Sequence, residues 1–270
     1  MNALSDFLRS RRARLTPADV GLTGAGLGHR RVPGLRREEV AALAGVSTDY
    51  YVRLEQGRGA HVSDAVLDAV GRALRLDATE RAYLTDLARP KRPVRRAFRA
   101  PRPAVRRLVD AIPGAPAILT DHRMVIVAAN QLGAALFGLT GDPATRDRAR
   151  VFFLDPRARE LYRDWAADAE TVTASLRLLV ARYPDDPWLT TLIGELSIKS
   201  PQFRTLWGRH RVKHKTHGAK RLRHPIAGDL DLTYERLSIA GDGDHALIVY
   251  QAEPGSPTAE RLALLASWTA

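Results

Sequence analysis

Residues 35–57 read LRREEVAALAGVSTDYYVRLEQG, from Leu35 to Gly57, with Val40, Leu43, Val46, Tyr51 and Leu54 as the apolar positions. That spacing fits two short helices joined by a tight turn rather than one long helix. Gly45 ends the first, because the turn needs a left-handed residue and glycine has no Cβ to clash there. Ser47 starts the second by accepting a backbone N–H, and Gly57 stops it. Upstream, Leu4, Phe7, Leu8 and Leu15 fall on one face with arginines between them. They predict an amphipathic helix that ends near Arg14, with Pro17 at its exit. Downstream, helices are expected over Ser63 to Leu74 and Ala78 to Leu87, the latter opened by the capping pair Asp77 and Glu80. Residues 1–88 thus read as an all-α, five-helix domain.

The quoted stretch resembles the helix-turn-helix of the lambda-repressor-like (XRE) regulators in its small Ala41, turn Gly45, capping Ser47 and closing Leu54-Glu55-x-Gly57. The resemblance implies sequence-specific DNA binding. By position, it puts Ser47, Thr48, Asp49 and Arg53 on the DNA side of the recognition helix, with Thr48, Asp49 and Arg53 at base edges. It puts Tyr50 at the flanking backbone, and Arg36 and Arg37 at a phosphate beside the start of the first helix of the pair. It leaves Tyr51 and Leu54 to the core and pairs Glu55 with Arg12. Asp49 stands where amide side chains are common; it either accepts from cytosine N4 or merely stabilises the helix N-terminus. An ordinary helical bundle with a solvated charged face is the plainer alternative, but spacing, turn chemistry and charge all favour DNA.

The chain of 270 residues has a formal net charge of +12, and arginine heavily outnumbers lysine. A GC-rich genome alone could produce that excess, but codon bias would spread it evenly. Instead, residues 1–103 hold 20 Lys+Arg against 11 Asp+Glu, and residues 104–270 hold 22 against 19. The excess sits with the helix-turn-helix, as a polyanionic partner requires. The absence of cysteine excludes disulfides, thiol nucleophiles and thiolate zinc sites. No apolar run suits a bilayer and no signal peptide is apparent, so a cytoplasmic protein with no membrane contact is expected. Gly24, Gly26 and Gly28 do not make a nucleotide loop, since no strand precedes them and no acidic residue follows at the right distance. They read as an excursion carrying His29, Arg30 and Arg31 toward a phosphate. Residues 89–103, RPKRPVRRAFRAPRP, read as a basic, Pro-rich linker that either keeps two domains apart or lies along the DNA backbone.

Residues 104–270 read as an α+β domain. Strands are expected at Ala117 to Thr120 and Met124 to Ala128, followed by a helix capped by Asn130. Helices then cover Arg157 to Tyr183, Trp188 to Lys199 and Pro201 to Gly208, divided by prolines. Leu230, Leu232 and Tyr234 alternate as a strand, Leu237 and Ile239 continue after an expected bulge, and Ala246 to Tyr250 is a further strand. This order fits a PAS-like antiparallel sheet with helices clustered on one face. The segments FLDPRARELYRDW, GELSIKSPQFRTLWGRH, RHPIAGDLDLTYE and VYQAEPGSP resemble the C-terminal domain of the MmyB-like transcription regulators. That resemblance implies a ligand-responsive, often actinobacterial regulator, with an apolar molecule such as a fatty acid as ligand. Asn130, Tyr162, Trp165, Phe203, Trp207 and His210 are the candidate ligand residues.

His210, His214 and His217 have metal-like spacing, but Arg and Lys crowd them and no carboxylate is interleaved, so neither metal nor cofactor is expected; the segment reads as a basic strand pair or an anion contact, and an anionic head group suits it better than a cation. No nucleophile-and-base set or carboxylate pair stands out, and no enzyme is expected. The expected partners are double-stranded DNA, as a roughly palindromic operator, and a small molecule, with the protein acting as a homodimer. The C-terminal helix, with Leu262, Leu265 and Trp268, is the candidate dimer surface. The competing reading keeps DNA binding but makes the second domain only a dimerisation or protein-interaction platform.

Overall fold

The computed structural model describes residues 2–22, 34–58, 62–89, 100–213, 215–242 and 245–269. Five helices build the first unit: α1 (Ala3–Arg14), α2 (Arg37–Ala44), α3 (Thr48–Glu55), α4 (Asp64–Ala73) and α5 (Ala78–Ala88). Short polar side chains set four of the starts: Asn2, Ser47, Ser63 and Asp77. The Ser47 hydroxyl accepts the Tyr50 N–H at 3.2 Å, and Asp77 and Glu80 exchange reciprocal bonds at 2.8 and 3.2 Å. Gly45 turns the chain at φ +65°, where a side chain would be strained. Phe7, Leu8, Leu35, Val40, Tyr51, Leu54, Val70 and Leu84 are buried in one core. Leu43, read as an apolar position of α2, stays 38% exposed.

The second unit opens with α6 (Pro103–Asp110), where the sequence reading ends the linker. Residues 90–99 of that linker lie outside the described residues, as do His29, Arg30, Arg31 and the glycines before them. At the near end Arg89 turns back onto its own unit, donating to the Val62 carbonyl and to Asp64. The strands are β1 (Ala117–Thr120), β2 (Ile126–Ala129), β3 (His217–His224), β4 (Gly228–Ser238) and β5 (Ala246–Gln251). They pair antiparallel in the order β2-β1-β5-β4-β3, a PAS-like sheet. Between β2 and β3 run α7 (Gln131–Leu136), α8 (Arg148–Leu154), α9 (Pro156–Leu161), α10 (Trp165–Arg182), α11 (Pro187–Lys199) and α12 (Pro201–Gly208), and α13 (Pro257–Thr269) follows β5.

Alternation along the strands sends Ile118, Leu222, Leu230, Leu232, Ile248 and Tyr250 into the larger core with α7 to α13. Ala117, Leu119 and Leu247 point the other way, where Val105 and Val109 of α6 cover them, so the helices are not confined to one face. The expected single helix from Arg157 is broken. Tyr162 pairs with Leu222 of β3 in a one-residue bridge, and Arg163 N–H donates to the Arg221 carbonyl at 3.1 Å. The expected bulge in β4 is also absent, since its pairing with β3 and with β5 steps one residue at a time. The irregularity lies in the β1–β2 pair, between Leu119 and Thr120. Gly133 lets α7 approach β1: a Cβ there would lie 2.4 Å from the Ala117 carbonyl oxygen.

The two units pack through α5 against α10, and Val212 enters the first unit's core. Among the described residues, no helix is long and apolar enough to cross a membrane.

Candidate functional site

The candidate recognition face lies on α3. Ser47, Thr48, Asp49 and Arg53 are exposed, and Tyr50 is half-buried. Among the described residues, no hydrogen bond or ion pair engages the side chains of Thr48, Asp49 or Arg53, so their polar groups are available to a partner. The helix turns every 3.6 residues, which puts Asp49 and Arg53 one turn apart on one face, with buried Tyr51 and Leu54 on the other. Arg36 caps α2 through its backbone N–H, which donates to Glu39 at 2.6 Å, and its guanidinium reaches Glu38 at 3.4 Å.

Arg37 is divided between two tasks. Its Nε donates to Glu55 Oε1 at 2.8 Å, while its side chain remains 43% exposed. Arg12 reaches the same carboxylate with Nε at 2.8 Å and Nη2 at 3.2 Å, and Arg9 stands 3.7 Å away. Burial by itself would raise the Glu55 pKa; the hydrogen bonds and charges of Arg12 and then Arg37 outweigh it and hold the carboxyl below its usual range. The Arg12 pairing matches the one implied by the helix-turn-helix resemblance. The contribution of Arg37 was not legible, because its neighbour Arg36 looks identical in sequence.

In the second unit a partly open cavity of about 400 Å³ lies between β2, α7, α8, α9 and the β3–β4 turn. Ile126, Leu136, Phe137, Val151 and Leu161 give it an apolar wall, to which Arg148, Tyr162 and His224 add polar groups. His224 is engaged: Nε2 meets the Ala135 carbonyl at 3.2 Å, and Nδ1 accepts the N–H groups of Ile226 and Ala227. Burial lowers its pKa, consistent with a neutral ring. At the rim, Arg157 is paired with Asp155, and Arg223 with Asp229. Arg148 has no carboxylate partner among the described residues; the hydroxyls of Tyr162 and Tyr250 adjoin it and its guanidinium lies 5.1 Å from the Phe137 ring. Arg236 is close by, pulled below its ordinary pKa by burial and then by the charge of Arg148.

Of the six ligand candidates, Tyr162 alone is among the residues lining this cavity. Asn130 is buried as a structural cap: Oδ1 accepts from Ala117 and Gly133, and Nδ2 donates to Ile112 and Ala115, which fills its hydrogen-bonding capacity. Trp165 is stacked on Phe152 at 5.3 Å, and Phe203 on Trp207 at 5.4 Å, so these rings serve the core. His210 lies at the joint between the two units, where its carbonyl accepts from Arg11 and its ring meets Arg177. Arg148 was missed because nothing in TRDRAR separates a half-buried arginine from a surface one. Among the described residues, no cluster of His, Asp or Glu is placed to hold a metal; His214 lies outside them.

Residues 3–84 match the family described as helix-turn-helix domain, which defines a DNA-binding unit. Residues 101–265 match the MmyB-like transcription regulator ligand binding domain, and the chain belongs to that family. It is a ligand-regulated, DNA-binding transcription regulator, with DNA and a small molecule as partners. Neither family is a catalytic one. No curated protein matches the chain.

Proposed function

We propose that the regulator is gated by an elongated apolar molecule with one acidic head, a fatty acid being the simplest case, held in the cavity with its head at Arg148. The observation that carries this is a partly buried arginine without a carboxylate partner on the wall of an apolar cavity. A guanidinium withdrawn in part from water gains more from an anion than a fully solvated one does. Arg236 adds a second positive charge beside it. A cavity of this size falls within the usual range for small-molecule sites and favours a sensor over a mere interaction platform.

The DNA side follows from exposure. Thr48, Asp49 and Arg53 read base edges, Ser47 and Tyr50 sit beside the backbone, and Arg36 with the exposed part of Arg37 holds phosphate. One short recognition helix reads too few base pairs to find a unique site, so the regulator binds a roughly palindromic operator as a homodimer in the cytoplasm. Leu262 and Leu265 cannot serve the dimer contact, being 5% and 2% exposed within their own unit. Leu264 and Trp268, one turn apart on α13 and 62% and 73% exposed, take that role.

Calorimetry with tetradecanoate and tetradecanol tests the ligand class. The acid is expected to bind about tenfold more tightly than the alcohol, and Arg148→Gln to abolish the difference. Equal affinity for acid and alcohol in the unaltered protein would rule out an acidic head at Arg148.

A further inference from the structure

Helix α1 grips both units of the chain with alternate arginines, and we propose that it carries the state of the cavity to the recognition helix. Arg9 and Arg12 face the buried carboxylate of Glu55, at the end of α3. Arg11 and Arg14 instead donate to the carbonyls of His210 and Arg209, at 2.9 and 3.0 Å. Those two carbonyls belong to the chain leaving α12. On the sensor side Arg177 of α10, 5% exposed and without a carboxylate partner among the described residues, holds the same segment. It donates to the Trp207 carbonyl, meets His210 Nδ1 at 3.2 Å and lies 4.1 Å from the Trp207 ring. These bonds hold His210 at φ +50°, a conformation that a residue with a Cβ rarely adopts.

From this joint a continuous run of aromatic contacts leads to the cavity. Trp207 stacks on Phe203, Phe203 meets Phe153 at 5.1 Å, Phe153 meets Phe152 at 5.1 Å, and Phe152 meets Tyr162 at 4.9 Å. Tyr162 lines the cavity. Close-packed rings cannot absorb added volume by compression, so an occupant that presses on Tyr162 shifts the row toward α12. The joint passes that shift to α1, since Val212 is anchored in the core of the first unit. Arg11, Arg14 and Arg177 are accordingly positioning residues for α3, acting without contact with DNA or ligand. The inference rests on the reading that cavity occupancy regulates DNA binding, and not on the chemistry of the occupant.

Spatial continuity is not coupling, so the test is a cycle. The Nε–Hε signals of Arg12 and Arg37 report directly on Glu55 and are followed by 15N NMR on the full-length protein. Val151→Phe places an added ring in the cavity, against the aromatic row, without any ligand. It is expected to shift both signals, and Arg14→Gln, at an exposed position of the joint, to reduce that shift about threefold. Arg177→Gln serves as a second joint variant, and persistence of the Arg12 signal reports that the first unit is folded. Unmoved signals in Val151→Phe, or equal shifts with the joint intact and altered, would overturn the proposal. Shifts from Val151→Phe but none from added decanoate would sustain the coupling and count against the acidic ligand.

Discussion

The carboxylate of Glu55, with no exposed surface, accepts from Arg12 Nε at 2.8 Å and so ties the recognition helix to α1. Arg37 completes the site from α2, so three helices share one buried charge. Removing the acid leaves two guanidiniums facing each other without compensation. Glu55→Ala is expected to cost about 3 kcal/mol in chemical denaturation, and Arg12→Ala less than that because Arg37 remains. A double-mutant cycle should be strongly non-additive; additive effects would mean that the carboxylate does not organise the helices.

The same site sets an acid limit on stability. Glu55 titrates below its ordinary value of 4.5 in the folded chain, so it binds fewer protons there than in the unfolded chain. Its contribution is therefore in full above the ordinary value and is lost as pH falls through the lower, folded value. Unfolding followed from pH 6 to pH 3 should show a smaller acid loss in Glu55→Gln than in the unaltered protein, a comparison made at about equal ionic strength.

Two glycines should respond to alanine in opposite directions. Gly133→Ala places a Cβ against the Ala117 carbonyl and is expected to destabilise by about 2 kcal/mol. Gly194→Ala, inside α11 with open space around it, should stabilise by about 0.5 to 1 kcal/mol because helix-interior glycine is entropically costly. Thermal unfolding of the two variants decides; loss of stability in both would show that α11 does not tolerate a Cβ at Gly194.

On DNA, Arg53→Ala should relax discrimination by about 1 to 3 kcal/mol at one base pair, while Arg36→Ala weakens binding to all sequences alike. Gel shifts on matched and altered operators distinguish the two. Equal losses on every DNA would contradict the division of roles.

Much of this was legible in the sequence, and the limits have physical causes. The helix-turn-helix could be read because its signals are local: a positive-φ glycine at Gly45 and a cap at Ser47 fix the chain within a few residues. The strand edges at Ala117 and Ala246 were legible for the same reason. The break at Tyr162 was not, because it depends on a bridge to Leu222, sixty positions away in sequence. The cavity was the least legible. Trp165, Phe203 and Trp207 have the composition of a ligand box, but Trp165 and Phe203 pack on Phe152 and Phe153, and Trp207 stacks on Phe203. Asn130 was readable as a cap, and its cap role leaves it nothing to offer a ligand.

The dimer proposal has a direct check on α13. Trp268→Ser combined with Leu264→Ser should shift light scattering from dimer to monomer without lowering the unfolding temperature, since neither side chain is buried in its own unit. A dimer that survives both substitutions would place the contact elsewhere.

Occupancy of the cavity is expected to change DNA binding. The most direct measurement is fluorescence anisotropy of the full-length protein on an operator selected from random DNA, with and without saturating tetradecanoate. A change in Kd of about tenfold is expected, abolished in Arg148→Gln. An unchanged Kd, with calorimetry showing the cavity filled, would contradict it.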